Sequence, residues 1–417
     1  MKDFKKEIKI LTIRNGFWII LAVLVSLLFY GVFQTNTLEE KHDSLVSVTN
    51  KINIMANTGK KYKKDVVIDK EFFEKNDIIF KKMAKKYEYG KYDNFNFSKA
   101  SEEEMKKYDE YQLKNGEYLQ NLTSYNYLSK EMKEKTNNFF SIPISITGMI
   151  VVLVLGFLFS SMEHSTSYYE FARTYPWTKK KDFLMKIIFG LMIIFGFVLI
   201  SSILNYMIVK TSNVEILKTG VKYIPGNLKN FGFLSAIYLT ILSVGFMAGN
   251  ILGHVGLGVM TFFFIDIVNA IWDSLNMLFK GESLYERSLI YLIENKIPND
   301  TSYFNKIIKV ILRPASNYDN SYLALAGLII FSLLVFIVSY SLIEKTKTEK
   351  SGKMVLLKPI ENIAKVLIIL LCACGGTMIF QQSVFKGFSI INFVIFAILI
   401  FVFTKIFNIL FKLKLKV

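Results

Sequence analysis

Eight apolar stretches, each long enough to cross a bilayer, run through this chain and leave it few folds to choose from. They fall at Gly16–Phe33, Phe139–Ser161, Phe183–Val209, Phe231–Leu252, Val255–Trp272, Tyr322–Ile343, Ile363–Phe380 and Phe388–Phe411. A hydrocarbon core of about 30 Å needs about 20 helical residues at a rise of about 1.5 Å each. Lipid offers the backbone no hydrogen-bond partners, and these runs are too long and too continuously apolar for barrel strands. The expected fold is all-α and polytopic, with an insertion outside the membrane between the first and second spans.

Charge is distributed unevenly about those spans. Residues 34–138 carry 20 Lys against 18 Asp or Glu, while the rest of the chain has 31 basic residues against 16 acidic ones. The net charge of +17 therefore belongs to the membrane part. There it reads as an orientation and headgroup signal, and no soluble basic stripe points to nucleic acid. Lys2, Lys5, Lys6, Lys9 and Arg14 precede the first span, which argues for a cytoplasmic amino terminus and an uncleaved anchor. Parity then puts 34–138, 210–230 and 273–321 outside, with 162–182, 344–362 and the carboxyl tail inside. The hinge of that argument is Gly253-His254, where a run of glycines (Gly245, Gly249, Gly253, Gly256, Gly258) suggests a tight helical hairpin. A broken or re-entrant element there would move every later loop to the other side.

Three further segments are expected from the pattern. Residues 1–15 space Phe4, Ile8 and Leu11 at helical intervals opposite Lys5, Lys6 and Lys9, which predicts a basic amphipathic helix in the inner interface. Within the insertion, 70–89 and 101–135 read as amphipathic helices, with Phe72, Phe73, Ile78, Ile79, Phe80 and Met83 available for a small core. Residues 139–413 complete the bundle.

Residues able to carry chemistry are few. His42, His164 and His254 form no helical metal pair, and no Gly-x-Ser-x-Gly elbow is present. Cys372 and Cys374 stand two apart, on different helical faces, so neither a thiolate metal site nor a disulfide in the insertion is expected. Asp266 is the acidic residue deepest in an apolar run, with Asn269 on the same face. The pair is a candidate for a transport pathway or for an interhelical hydrogen bond. Lys186, near the start of the third span, is expected to snorkel to the headgroups.

The loop after the second span runs from Glu163 through Tyr169, Glu170, Phe171, Arg173, Pro176, Thr178 and Lys179 to Lys186. It resembles the first cytoplasmic loop of type-2 ABC exporter permeases, in which a Glu opens the loop, a short amphipathic helix follows, and a Pro-x-Ser/Thr-basic turn leads to a Lys. Thr166 or Ser167 stands where that family often has a small residue or Gly. A second run, Lys347-Thr348-Glu349-Lys350-Ser351-Gly352, is similar to the basic-x-Ser-Glu-x-small-Gly segment of bacitracin-exporter and related Firmicute permeases, with Lys347, Glu349 and Gly352 in the matching places.

The resemblance implies a permease subunit of an ATP-driven exporter in a bacterial cytoplasmic membrane, with both termini cytoplasmic. It implies an ABC ATP-binding subunit and a second permease chain as partners, membrane lipid around them, and an amphipathic cargo such as a peptide, an antimicrobial or a lipid-like molecule. Glu163–Tyr175 would be the helix that docks on the ATPase. The chain itself has no Gly-x-x-x-x-Gly-Lys-Ser/Thr loop, so it is not expected to be an enzyme, and ATP with Mg would be handled by the partner. Two other readings remain open: a peptide-sensing or immunity protein using 34–138, and an ion-coupled secondary transporter centred on Asp266.

Overall fold

In the computed structural model, described for residues 2–93, 95, 100–134, 137–166, 178–218, 223–280, 290–291, 303–319, 321–346, 350–383 and 390–415, the chain is an all-α polytopic membrane protein. Its helices are α1 (Lys2–Met55), α2 (Lys70–Lys86), α3 (Glu102–Glu134), α4 (Asn137–Leu158), α5 (Ser161–Ser165), α6 (Lys179–Thr211) and α7 (Glu215–Lys218), followed by α8 (Tyr223–Gly245), α9 (Ile251–Phe262), α10 (Phe264–Lys280), α11 (Tyr303–Leu312), α12 (Tyr322–Leu342), α13 (Lys358–Ser383) and α14 (Ile390–Leu410). Among the described residues, seven helices are long and apolar enough to cross a membrane, and α9 with α10 pass that test together as a bent pair.

Two expectations need correction. Residues 2–15 are not a separate surface helix: α1 runs unbroken to Met55, because no Pro interrupts it and its two glycines, Gly16 and Gly31, do not stop it. The fifth apolar stretch is not one straight helix either. It breaks at Phe263, where α9 and α10 meet at 77°. No Gly or Pro marks this break; Phe263 takes φ −113° and ψ 21° and its N–H closes α9 on the Val259 carbonyl. In the glycine run, a Cβ on Gly245 of α8 would stand 2.6 Å from His254 Cε1 of α9, so the two helices approach closely there. A Cβ on Gly249 would stand 2.2 Å from the Lys353 carbonyl oxygen and one on Gly253 1.8 Å from that of Met354, so the run also approaches the turn segment 352–356. Gly256 and Gly258 face open space.

The chain divides into two compact units. One comprises 25–147 and 197–228. Here Asp69 caps α2 through the Phe72 N–H at 2.7 Å, and Ser101 with Glu104 closes a capping box at the start of α3. Phe72, Phe73 and Met83 enter its core with Leu38, Leu45, Leu122 and Tyr125, whereas Ile78 is 71% exposed. The end of α6 joins them: Val209, Val214 and Leu217 are buried in the same cluster, and the Ile68 N–H bonds the Asn213 carbonyl. Burial pushes the Tyr125 phenol up, reinforced by the Asp77 carboxylate that accepts its hydroxyl at 2.9 Å.

The other unit comprises 1–24, 148–196 and 229–417. In it α10 and α14 both pack on α13, α11 packs on α12, and Val244, Met247, Leu257, Leu357 and Phe411 share one cluster. At one place an isolated antiparallel bridge pairs Ala248 with Val355. Four described segments meet around it: 161–166, 246–250, 350–357 and 413–415.

Candidate functional site

Four charged side chains lie together within the second of these units. α6 carries Asp182 and Lys186 one helical turn apart, and Lys186 Nζ reaches the Asp182 carboxylate at 3.0 Å. The same ammonium contacts Glu163 of α5, whose other oxygen takes the Arg14 guanidinium from α1. Lys186 and Glu163 are 1% and 5% exposed, so the centre of the cluster is out of water, with Arg14 at its partly exposed edge. Among the described residues two cations face two anions there. Withdrawing such charges from water costs several kcal/mol apiece, recovered only through complete pairing.

Neighbouring residues fix the Lys186 position. Tyr238 of α8 donates its hydroxyl to the Lys186 carbonyl at 2.8 Å, and its ring crosses α6 at Gly190, where any Cβ would fall 2.2 Å from it. Phe246 presents its ring 5.0 Å from the ammonium. The expectation that Lys186 snorkels to the headgroups is thus overturned: an opposite charge on the adjacent short helix holds it inside.

A second polar layer ties this cluster to the 352–356 segment. His164 Nδ1 donates to the Ala248 carbonyl at 2.6 Å, and the His164 carbonyl accepts from the Ser351 hydroxyl. Asn250 caps α9 through the Gly253 N–H at 2.8 Å and donates to the Gly352 carbonyl at 2.8 Å, while the Leu415 N–H donates to that same carbonyl. Gly352 itself adopts φ 84°, a conformation that favours glycine. His254 lies between the Ile241 carbonyl at 2.8 Å and the Ser161 hydroxyl at 2.9 Å. A carbonyl only accepts, so His254 donates from Nε2 and accepts at Nδ1.

The sequence-derived candidates divide accordingly. Glu163 stands at the centre of the ionic cluster. Lys179 bonds the Thr346 carbonyl, and Gly352 lies in the polar layer beside His164, so described parts of the two motif-bearing segments are in contact. Tyr169, Glu170, Phe171, Arg173 and Pro176, like Lys347 and Glu349, lie outside the described residues. Asp266 and Asn269 do not act on each other. Arg313 holds one Asp266 oxygen through Nε at 2.9 Å and Nη2 at 2.7 Å, whereas Asn269 bonds Asp273 at 2.7 Å and accepts from the Ile290 N–H.

Two features escaped the sequence reading. In the unit of 25–147 and 197–228, Ser26 and Gln34 of α1 and Ser201 and Asn205 of α6 are buried at intervals of four or eight residues. The Gln34 amide atoms and both serine hydroxyls have no hydrogen-bond partner. These residues continue the faces on which Leu38 and Val209 enter a common core, so a neutral polar seam runs along two otherwise apolar helices. The i, i+4 repeat of Ser, Asn and Gln in apolar runs was its signal. In the same unit a polar cleft of about 290 Å³ is lined by Glu39, His42, Asp43, Lys64, Thr211 and Asn213, among others. His42 sits between the Val66 carbonyl at 2.8 Å and the Asp43 carboxylate at 3.2 Å.

Among the described residues no cluster of His, Cys, Asp and Glu is suited to a metal ion. No protein-family model, no curated protein and no solved structure matches this chain.

Proposed function

We propose that this protein is the permease subunit of an ATP-driven ABC exporter, moving an amphipathic substrate across a bacterial cytoplasmic membrane. The observation that carries this reading is the meeting of the two loops whose sequences resemble that family. The first begins at Glu163 over a buried, charge-balanced base and touches the second through Lys179 with Thr346 and His164 with Ser351. A loop that receives force from an ATPase needs a stiff attachment to the bundle, and fully paired buried ions between three helices supply one. Glu170, Phe171 and Arg173 would contact the ATPase, which alone binds ATP and Mg. Two permease chains, identical or paralogous, would enclose the path, with amino and carboxyl termini in the cytoplasm.

The test is affinity purification of the tagged chain from its native membranes in mild detergent, with identification of bound proteins and assay of ATP hydrolysis. A stoichiometric ATP-binding subunit, lost when Glu170 and Arg173 are both replaced by alanine, is expected. A folded protein with no ATPase bound contradicts the reading.

A second reading, a peptide-sensing or immunity protein, draws on the polar cleft around His42, Asp43 and Lys64. It predicts that a cationic peptide binds the isolated membrane protein without any ATPase, and that Asp43→Asn weakens that binding.

A further inference from the structure

The polar cleft beside His42, in the unit of 25–147 and 197–228, opens where the apolar surfaces of α1 and α6 end. Leu28 and Val32 of α1 are 70% and 61% exposed, and Ile203 and Met207 of α6 are 47% and 56% exposed. Both helices have membrane-spanning composition, so these faces lie in hydrocarbon, and Tyr206 beside them is of a type enriched at the membrane–water boundary. One to two turns further on, the chemistry changes. Thr35, Glu39 and His42 of α1 and Thr211 of α6 line the cleft together with Asp43 and Lys64. The cleft therefore stands at headgroup depth. Glu39, Asp43, Lys64 and Thr211 are all exposed, so a ligand entering the cleft touches them directly. Glu39 has no ion pair among the described residues, and Asp43 has the Lys64 ammonium at 3.6 Å. The Thr211 and Ser212 hydroxyls donate to carbonyls of α6 itself, which leaves their oxygens as acceptors. The carboxyl end of α6, a helix of 33 residues, adds partial negative charge.

We propose that this cleft is a site for the headgroup of a bilayer phospholipid that carries a primary ammonium, of the phosphatidylethanolamine type. Glu39 and Asp43 receive the ammonium, Lys64 takes the phosphate, and the acyl chains lie on the apolar faces that end near Val32 and Met207. The acceptors select the head. A quaternary ammonium has no N–H to give the carboxylates, and an anionic glycerol head brings them like charge. The space, about 290 Å³, equals roughly ten water volumes of about 30 Å³ and admits a headgroup of this size. The inference goes beyond both functional readings, because it requires neither an ATPase nor a peptide, only the membrane character of the chain.

The test uses the full-length protein in nanodiscs of phosphatidylethanolamine, phosphatidylcholine and phosphatidylglycerol, in equal amounts and with identical chains. Native mass spectrometry then reads which lipid stays bound when the protein is released from the disc. Phosphatidylethanolamine should be retained over phosphatidylcholine by roughly three- to tenfold, the worth of one net hydrogen bond. Glu39→Gln, at a side chain that forms no ion pair among the described residues, and Asp43→Asn should each reduce that preference, and the two together should abolish it. Lys64→Gln should lower retention of both lipids and leave their ratio nearly unchanged. Glu40→Gln, exposed on α1 outside the cleft, should leave the preference intact. Equal retention of phosphatidylethanolamine and phosphatidylcholine, or greater retention of phosphatidylglycerol, overturns the proposal. So does a preference that survives the double variant or is lost in Glu40→Gln. Equal lipid retention together with a cationic peptide that binds through Asp43 would give the cleft to the peptide-sensing reading instead.

Discussion

Charged residues do opposite work in the two units. In the unit built on α2 and α3, Lys and Glu line exposed helical faces, as in the pair Lys107–Glu103, whose side chains are 63% and 79% exposed. They solvate a small apolar core and hold little of it together. In the other unit, Glu163, Asp182 and Lys186 are buried, and the Lys186 ammonium is the counter-ion of both carboxylates. The same residue types are dispensable in the first setting and interdependent in the second. The difference lies in whether water or a partner neutralises them.

That contrast can be broken at its strongest point. Replacing Glu163 by alanine leaves Lys186 buried beside only Asp182 and should cost about 3–5 kcal/mol, seen as a large drop in thermal unfolding temperature in detergent. Leu45→Ala in the other unit should cost about 2–5 kcal/mol by leaving a cavity. Gly190→Ala should cost about 1–3 kcal/mol, because Tyr238 must move off α6. Tyr238→Phe combined with it should not restore stability, since ring and helix still collide.

Two smaller effects sharpen the exposed side of the comparison. The Ser101 backbone N–H, then its hydroxyl, hold the Glu104 carboxyl below its usual range. A depressed carboxyl contributes stability above its unfolded pKa of about 4.3, and that contribution disappears as pH falls through the folded value. Protection of the first-turn amides of α3 against hydrogen exchange should therefore fall on acidification below about pH 4, and Glu104→Gln should remove that dependence. Lys107→Ala should leave the unfolding temperature unchanged.

Much of this was legible in the sequence. The apolar runs define the spans, and the periodicity of 70–89 and 101–135 gives α2 and α3 almost to their ends. Glu163 was reached through its place at the start of a loop. Lys186 was misread because a lysine near the end of an apolar run satisfies snorkelling and burial equally well; only the tertiary position of Glu163 decides between them. Arg14 was read as an orientation charge for the same reason. The break at Phe263 carries no Gly or Pro, so an unbroken apolar pattern conceals it. Asp266 looked solitary because its partner Arg313 comes from a segment nearly fifty residues on. The seam of Ser26, Gln34, Ser201 and Asn205 was readable, since polar residues repeat at helical intervals within apolar runs.

The central claim is that the first loop rests on a charge-balanced buried base, and a double-mutant cycle on Glu163 and Lys186 tests it most directly. Unfolding temperatures would be measured for Glu163→Gln, Lys186→Met and the two together, in one detergent. Each single change leaves the cluster of Arg14, Glu163, Asp182 and Lys186 with one unbalanced charge, so the account predicts a large loss for either one and a double variant that recovers much of it. Losses that simply add would contradict the account, because Glu163 and Lys186 would then not be neutralising one another.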